Sequence, residues 1–311
     1  MTRKNESDDS RVILVFLDGV GIGEKDCVNN PFFKYGFNTF TNFFGELPSL
    51  ENCHFEKNDK YLFPTDALLD VEGLPQSGTG QTSIFCGINA PKIINKHFGP
   101  YPYSTLVPYI ESLNIFKSVN DIGLRPFFVN CYPKIFFDYI KSGKTRLSVT
   151  TLSCILSGIK LNKAADLHSG RGIAADITNE RWKERLNYKI DIISPEKAAK
   201  RLLKIASKNH LTVFEYFLTD HLGHHREFEN LEKTIRELDL FLSFLIENLD
   251  SKNFTLIVCS DHGNFEDLSI KTHTTNPTLT ITAGKFAKEL RESINSISDI
   301  KKGIMRALQN V

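Results

Sequence analysis

The chain has 311 residues and a formal net charge of +1, with 41% hydrophobic and 24% charged residues. That is globular composition, and a charge this close to zero supplies no bulk field for nucleic acid or a membrane surface. No run is long enough to span a bilayer.

Residues 1–10 read as a frayed tail. The polar start lacks the apolar run of a signal peptide. The six cysteines form no CxxC pair and no regular framework, so a reduced, cytoplasmic setting is expected. Phe is abundant (24) and Trp nearly absent (1), which fits core packing better than a base-stacking surface.

Residues 12–17 (Val-Ile-Leu-Val-Phe-Leu) form an apolar run that predicts a buried strand ending at Asp18-Gly19. The glycines of 19–23 suit a tight turn that lets backbone approach a ligand. They make no dinucleotide fingerprint, because no GxGxxG opens a helix there. Residues 29–33 read as a loop, and the aromatic stretch 37–44 as packing against a sheet.

In 73–87, Pro75 and the glycines make a turn, residues 82–86 suit a helix, and Gly87 can end it. Ser77 then falls at or near a helix N-terminus, where backbone N–H groups and the dipole favour phosphate. Beside a metal, such a hydroxyl can attack phosphorus. The commoner fate of a serine at that place is a plain N-cap.

From 92 to 165 Tyr, Phe and Pro dominate, and the strand pattern is interrupted. This segment is expected to be a small inserted cap, with 1–91 and 166–311 forming the core. Residues 126–131 read either as a strand within the cap or as one returning to the main sheet. Beyond it, Ser194-Pro195-Glu196 opens a helix.

Residues 211–218 form a second apolar run ending in Thr219-Asp220, with His224 four residues on. Residues 231–249 carry the apolar period of an amphipathic helix. Residues 255–259 form a third run, ending in Ser260-Asp261-His262-Gly263-Asn264. Alone, that pentapeptide reads equally as a polar turn. Three runs delivering carboxylates at their carboxyl ends change the balance, because ligands bind outside the carboxyl ends of parallel strands. A last strand over 278–282 and helix over 286–308 complete an α/β fold: a doubly wound, mostly parallel sheet flanked by helices.

The candidate metal ligands are Asp18, Asp220, His224, Asp261, His262 and His273, hard oxygens beside imidazole nitrogens. Asp220 and His224, four apart, face the same way on a helix. His221 and His225 are expected to point elsewhere. His54, His97, His168 and His210 are taken as surface or core residues.

Taken in order, Asp-Gly after the first strand, a Ser followed by glycines, Asp-x-x-x-His, Asp-His-Gly-Asn and His-Thr resemble the alkaline phosphatase superfamily. Within it they are most similar to the branch of cofactor-independent phosphoglycerate mutase and phosphopentomutase. The resemblance covers 12–90 and 171–308. It implies two divalent metals, usually Mn²⁺ and in some members Zn²⁺. Asp220, His224 and His273 would hold one, and Asp18, Asp261 and His262 the other, beside Ser77. It implies attack by Ser77 on a small phosphorylated metabolite, giving a phosphoserine, in a mutase or a phosphohydrolase. Nucleic acid and membrane are not expected partners.

The sequence departs from the branch at Gln76-Ser77-Gly78-Thr79-Gly80-Gln81, where Gln81 replaces a family histidine. The cap lacks the Arg-Asp pair that grips phosphoglycerate. Arg125 and Arg146, with Arg171 at the cap's edge, are the candidate substrate-binding groups, among Lys134, Lys141 and Lys144. A sulfatase or phosphodiesterase on the same core is the first alternative. The sulfatase form would need Cys/Ser-x-Pro-x-Arg, and Ser77-Gly78-Thr79-Gly80 has neither the Pro nor the Arg. A silent metal-binding protein is the second, against which stands the presence of all six ligands.

Overall fold

The computed structural model describes residues 10–224 and 228–309. Its centre is a seven-stranded sheet in the order β2-β3-β7-β6-β1-β5-β4. The strands are β1 (Arg11–Leu17), β2 (Phe55–Lys57), β3 (Lys60–Thr65), β4 (Pro126–Phe128), β5 (Leu211–Tyr216), β6 (Phe254–Ser260) and β7 (Thr278–Gly284).

β1 lies between β5 and β6 and is parallel to both, and β4 is parallel to β5. β7 runs antiparallel to β6, and β3 antiparallel to β7, so β3 shares the direction of the parallel set. The sheet is therefore mixed, with the mostly parallel character read from the apolar runs.

Each central strand feeds two cores, because successive side chains point to opposite faces. Ile13, Val15 and Leu17 enter one, with the helices Pro195–Ala206 and Leu231–Glu247 over them. Val12, Leu14 and Phe16 enter the other, under the helices Ser77–Cys86, Val107–Leu113, Val149–Leu156 and Ile300–Gln309. Burial on both faces is why β1, β5 and β6 read as near-continuous apolar runs.

The segment 92–165 departs from the expected inserted cap. It returns β4 to the sheet beside β5. Ile110, Ile115, Phe116, Val119, Val149 and Cys154 all lie in the second core. Only the helix Lys134–Lys141 within it has no buried residue. Amphipathic core helices and a cap share the same local texture, so composition alone did not separate them.

β2 and β3 are two further elements that sequence reading did not mark. Within residues 29–33, expected as loop, Pro31 opens a short helix, Pro31–Tyr35, with Pro at its first turn and the Asn30 side chain accepting from Phe32 N. The four most buried cysteines are Cys86, Cys131, Cys154 and Cys259, and the described cysteines are free thiols. Among the described residues no helix is long and apolar enough to cross a membrane.

Candidate metal centre

Five segments converge on one edge of the sheet. Asp18 follows β1, and Asp261-His262 follows β6. The helix Leu218–Gly223, carrying Asp220 and ending at His224, follows β5. β7 runs the other way, so the loop before it brings His273 to the same edge. β3 runs with the parallel set, and the helix Ser77–Cys86 starts beyond its end.

The side chains meet in two adjoining groups. In the first, Asp220 Oδ1 lies 3.3 Å from His224 Nε2 and 3.6 Å from His273 Nε2. The two Nε2 atoms are 3.2 Å apart. Each ring turns its other nitrogen to a backbone carbonyl, His224 Nδ1 to Lys271 O at 2.8 Å and His273 Nδ1 to Pro75 O at 2.6 Å. A carbonyl brings no proton, so Nδ1 donates in both rings, and in the neutral rings Nε2 is a lone pair. Two lone pairs and a carboxylate oxygen facing one another form a cation-binding arrangement.

In the second group, His262 Nε2 lies 3.3 Å from Asp18 Oδ1, 3.6 Å from Asp261 Oδ2 and 3.0 Å from Ser77 Oγ. Asp18 Oδ1 and Asp261 Oδ2 are buried without a hydrogen-bond partner. Burying an unpaired carboxylate oxygen is costly, and these two face the same point, so the donor set fits a divalent cation. His262 stacks on His273 with centroids 3.7 Å apart, which places the groups side by side.

The titration behaviour has the same cause. Burial, and then the neighbouring charge of Asp220, pushes the Asp18 carboxyl up. Burial and Asp18 do the same to Asp261. Burial alone would lower His262, but Asp261 and Asp18 carry it up to about 10. His273 falls to about 4 through burial and the nearby His262 charge. Burial opposes ionisation of Asp220, yet His224 and His262 hold it below the usual carboxylate range. Two buried carboxyls facing each other resist ionising together, and the His262 charge offsets that only in part.

Residues 185–309 match the family model of the Metalloenzyme superfamily. The PH0037 protein of Pyrococcus horikoshii superposes with a TM-score of 0.59 at 11% identity, covering 97% of this chain and 98% of that one. The alkaline phosphatase of the Antarctic bacterium TAB5 superposes with a TM-score of 0.53 at 14% identity, covering 96% and 98%. The fold is alkaline phosphatase-like. Sequence similarity points to a neighbouring group. The 2,3-bisphosphoglycerate-independent phosphoglycerate mutase of Mycoplasmopsis pulmonis is 33% identical over 104 residues, 30% of this chain and 21% of that protein. The enzyme of the same name from Clostridium botulinum is 27% identical over 108 residues, 32% and 21%. The matched part thus spans about a fifth of the length of these curated relatives.

In this alkaline phosphatase-like frame, Ser77 is the first residue of its helix, and Gln76 is the cap residue. The Ser77 hydroxyl therefore does not cap and instead faces His262. The helix sits unusually close to the ligand loops. A Cβ on Gly80 would lie 2.8 Å from Asp261 O, and between the two loops one on Gly263 would run into Thr274 Oγ1. Glycine is required at both places by close approach.

Glu266 was not singled out from sequence, yet it ties the ligand loops together. Buried, it accepts from Gly21 N at 2.9 Å, Asn264 N at 2.8 Å and Asn276 Nδ2 at 3.1 Å, and from Thr274 Oγ1. Asn264 Nδ2 in turn donates to Asp220 Oδ1 at 2.8 Å. The available signal was a carboxylate two residues beyond Asp-His-Gly-Asn. Glu215 was also missed. It is a buried acid within β5, accepts from Thr150 Oγ1 at 3.3 Å and faces a cleft that opens over Asp18, Ser77, Asp220, His224 and His273. Burial and the Asp18 charge push it up to about 8.

The expected substrate-binding arginines separate. Arg146 lines the cleft with Ser77, Gln81 and Lys271. Arg125 precedes β4, and its carbonyl accepts from His210 N at 2.9 Å at the start of β5, so it lies at the opposite edge of the sheet. Arg171 Nη2 pairs with Asp166 Oδ1 at 3.0 Å, with a side chain 66% exposed. His221, expected to point elsewhere, lines the cleft and sits 5.0 Å from the Phe217 ring. His225 lies outside the described residues. Gln81, which replaces the family histidine, also lines the cleft, and its Oε1 is buried without a partner.

Proposed function

We propose that the protein is a two-metal phosphoryl-transfer enzyme acting on a small phosphate monoester, with Ser77 as nucleophile. The observation that carries this is the pair of adjoining groups, Asp220 with His224 and His273 and Asp18 with Asp261 and His262, with Ser77 Oγ 3.0 Å from His262 Nε2. Asp220, His224 and His273 would hold one divalent ion, and Asp18, Asp261 and His262 the other, beside Ser77. Manganese is the metal proposed, and zinc is the alternative the same donors accept. Bound there, such ions supply Lewis-acid charge to the phosphoryl oxygens and to the serine hydroxyl.

The chain's own residues do the rest. Ser77 Oγ gives up its proton to solvent and forms the new O–P bond as the ester O–P bond breaks, and the alcohol leaves with a proton drawn from solvent. The positive end of the ten-residue helix Ser77–Cys86 faces the phosphate. Arg146 and Lys271 add positive charge on the cleft wall. Water then attacks the phosphoserine phosphorus and releases phosphate and Ser77.

Hydrolysis is proposed over mutase chemistry. A mutase must grip its dephosphorylated product while excluding water. Of the three arginines considered for that grip, Arg146 alone borders the cleft, and 92–165 is largely core. Similarity to the mutases over about a third of this chain supports the second reading, phosphate transfer.

The test is elemental analysis of the purified protein, followed by incubation of the Mn²⁺-loaded form with ribose 1-phosphate, 3-phosphoglycerate, a phosphosugar panel and an aryl phosphate such as 2-naphthyl phosphate. Two divalent ions per chain and phosphate released one-for-one with substrate support hydrolysis. Isomer formed without free phosphate moves the reading to mutase. No metal and no turnover on any monoester defeats both.

A further inference from the structure

A second cavity, of about 470 Å³, lies beside the metal cleft and has no part in the mechanism above. It is within the ~300–1,000 Å³ typical of small-molecule sites. Tyr132, Phe136, Glu215 and Phe217 border both spaces. Tyr132 and Phe136 stack at 4.2 Å and 25°, forming an aromatic rim between them. A phosphate seated beside Ser77, on cations held by Asp18 and Asp220, would leave its organic half free to reach the shared rim of the two spaces.

The lining is chemically one-sided. Trp182, Tyr139, Ile135 and Leu186 supply large apolar surface, and Ile135 is left 69% exposed and Leu186 38% exposed. The polar groups there are mostly engaged within the protein. Asn130 exchanges hydrogen bonds with the backbone of Glu215, Nδ2 donating at 2.7 Å and Oδ1 accepting at 2.9 Å. The Asp176 carboxylate accepts from Asn179 N at 3.2 Å and Arg181 N at 2.6 Å. A polyol would strip water from its hydroxyls and find few partners, whereas an apolar group would cover Ile135 and Leu186.

Resting on the reading of the cleft as a phosphate-monoester site, we propose that this cavity seats the alcohol half of the substrate, which is an aromatic or bulky apolar alcohol rather than a sugar or glycerate. Tyr139, Ile135 and Leu186 are then specificity-determining residues.

Trp182 lines the cavity and is the single tryptophan of the chain, so its emission reports on occupancy. The Mn²⁺-loaded protein is titrated by calorimetry with 2-naphthylmethylphosphonate and with methylphosphonate, which are not hydrolysed, while Trp182 emission is followed. Binding of the naphthyl ligand at least tenfold tighter, with a saturable change in emission reversed by inorganic phosphate, is the expected result. Ile135→Asp, at an exposed position that folding tolerates, should remove most of that preference and leave methylphosphonate affinity unchanged. Equal affinity for the two phosphonates, silent Trp182 emission, or a preference untouched by Ile135→Asp overturns the cavity assignment alone. Methylphosphonate binding that fails, or that survives chelation of the metal, overturns the phosphate-site reading and the cavity assignment with it.

Discussion

His224 and His273 point their Nε2 atoms at each other across 3.2 Å, with each Nδ1 anchored on a backbone carbonyl. Neutral rings held this way repel unless a cation lies between them and Asp220. Metal binding should therefore stabilise the fold, by ~2.7 kcal/mol at a hundredfold excess over Kd. Thermal denaturation with Mn²⁺ or with chelator should show the difference as a shift of several degrees. His273→Ala should roughly halve the bound metal and remove part of that shift. An unchanged metal content in the variant would mean that His273 is no ligand.

Ser77→Ala should lower turnover by at least about 10³-fold, the scale on which losing a nucleophile acts. Metal content should stay close to two ions, because six side-chain ligands remain. Thr79 and Thr82 are no substitutes. Thr79 Oγ1 donates to Gln76 O at 3.1 Å, and Thr82 Oγ1 to Gly78 O at 2.6 Å. Phosphate-release kinetics on Ser77→Ala and Thr79→Ala check this, and a collapse confined to Thr79→Ala would move the nucleophile.

Among the candidate ligands, Asp18, Asp220, Asp261 and His262 were legible because each sits within a few residues of the carboxyl end of a strand. A strand end is visible in sequence as an apolar run that stops. The shared direction of three parallel strands then puts Asp18, Asp220 and Asp261 at one edge. Arg125 lies away from the cleft because β4 runs parallel to β5, which puts the residue before β4 at the amino-terminal edge, and sequence does not give that direction. The cap reading failed on residues such as Phe116 and Val149, whose burial depends on partners far away in the chain. Glu215 was available as an acid inside an otherwise apolar strand, a rarity in buried positions. Glu266 had no such contrast, since it lies in a polar loop and its role comes from donors on three separate segments.

Glu266→Ala should destabilise the protein by about 2–4 kcal/mol, because Gly21 N, Asn264 N, Thr274 Oγ1 and Asn276 Nδ2 lose a shared acceptor. The loss should also reach the metal. Thr274 adjoins His273, and Asn264 holds Asp220, so weakening of metal affinity by about 10–100-fold is expected, as for other residues that orient ligands. Denaturant titration and metal competition with a chromophoric chelator measure the two effects. A stable variant with unaltered metal affinity would reduce Glu266 to a passive loop residue.

Glu237, away from the cleft, gives a pH test that does not involve metal ligands. Burial pushes it up to about 7, Glu180 and Asp176 add to the rise, and Lys233, with Nζ 4.0 Å away, opposes it. A folded-state value above the unfolded one means the native chain holds the proton longer. Stability therefore falls as pH rises from about 4.5 through about 7, where the native carboxylate must ionise. Glu237→Gln keeps the shape and removes that ionisation. The variant should match the parent near pH 4.5 and exceed it at pH 8 by about 1 kcal/mol, the full shift being discounted for solvent screening. Urea titrations at the two pH values, both with chelator, read the difference directly. A gain of the same size at both would assign the effect to packing, and a loss at pH 8 would show that the Lys233 pairing outweighs the cost of burial.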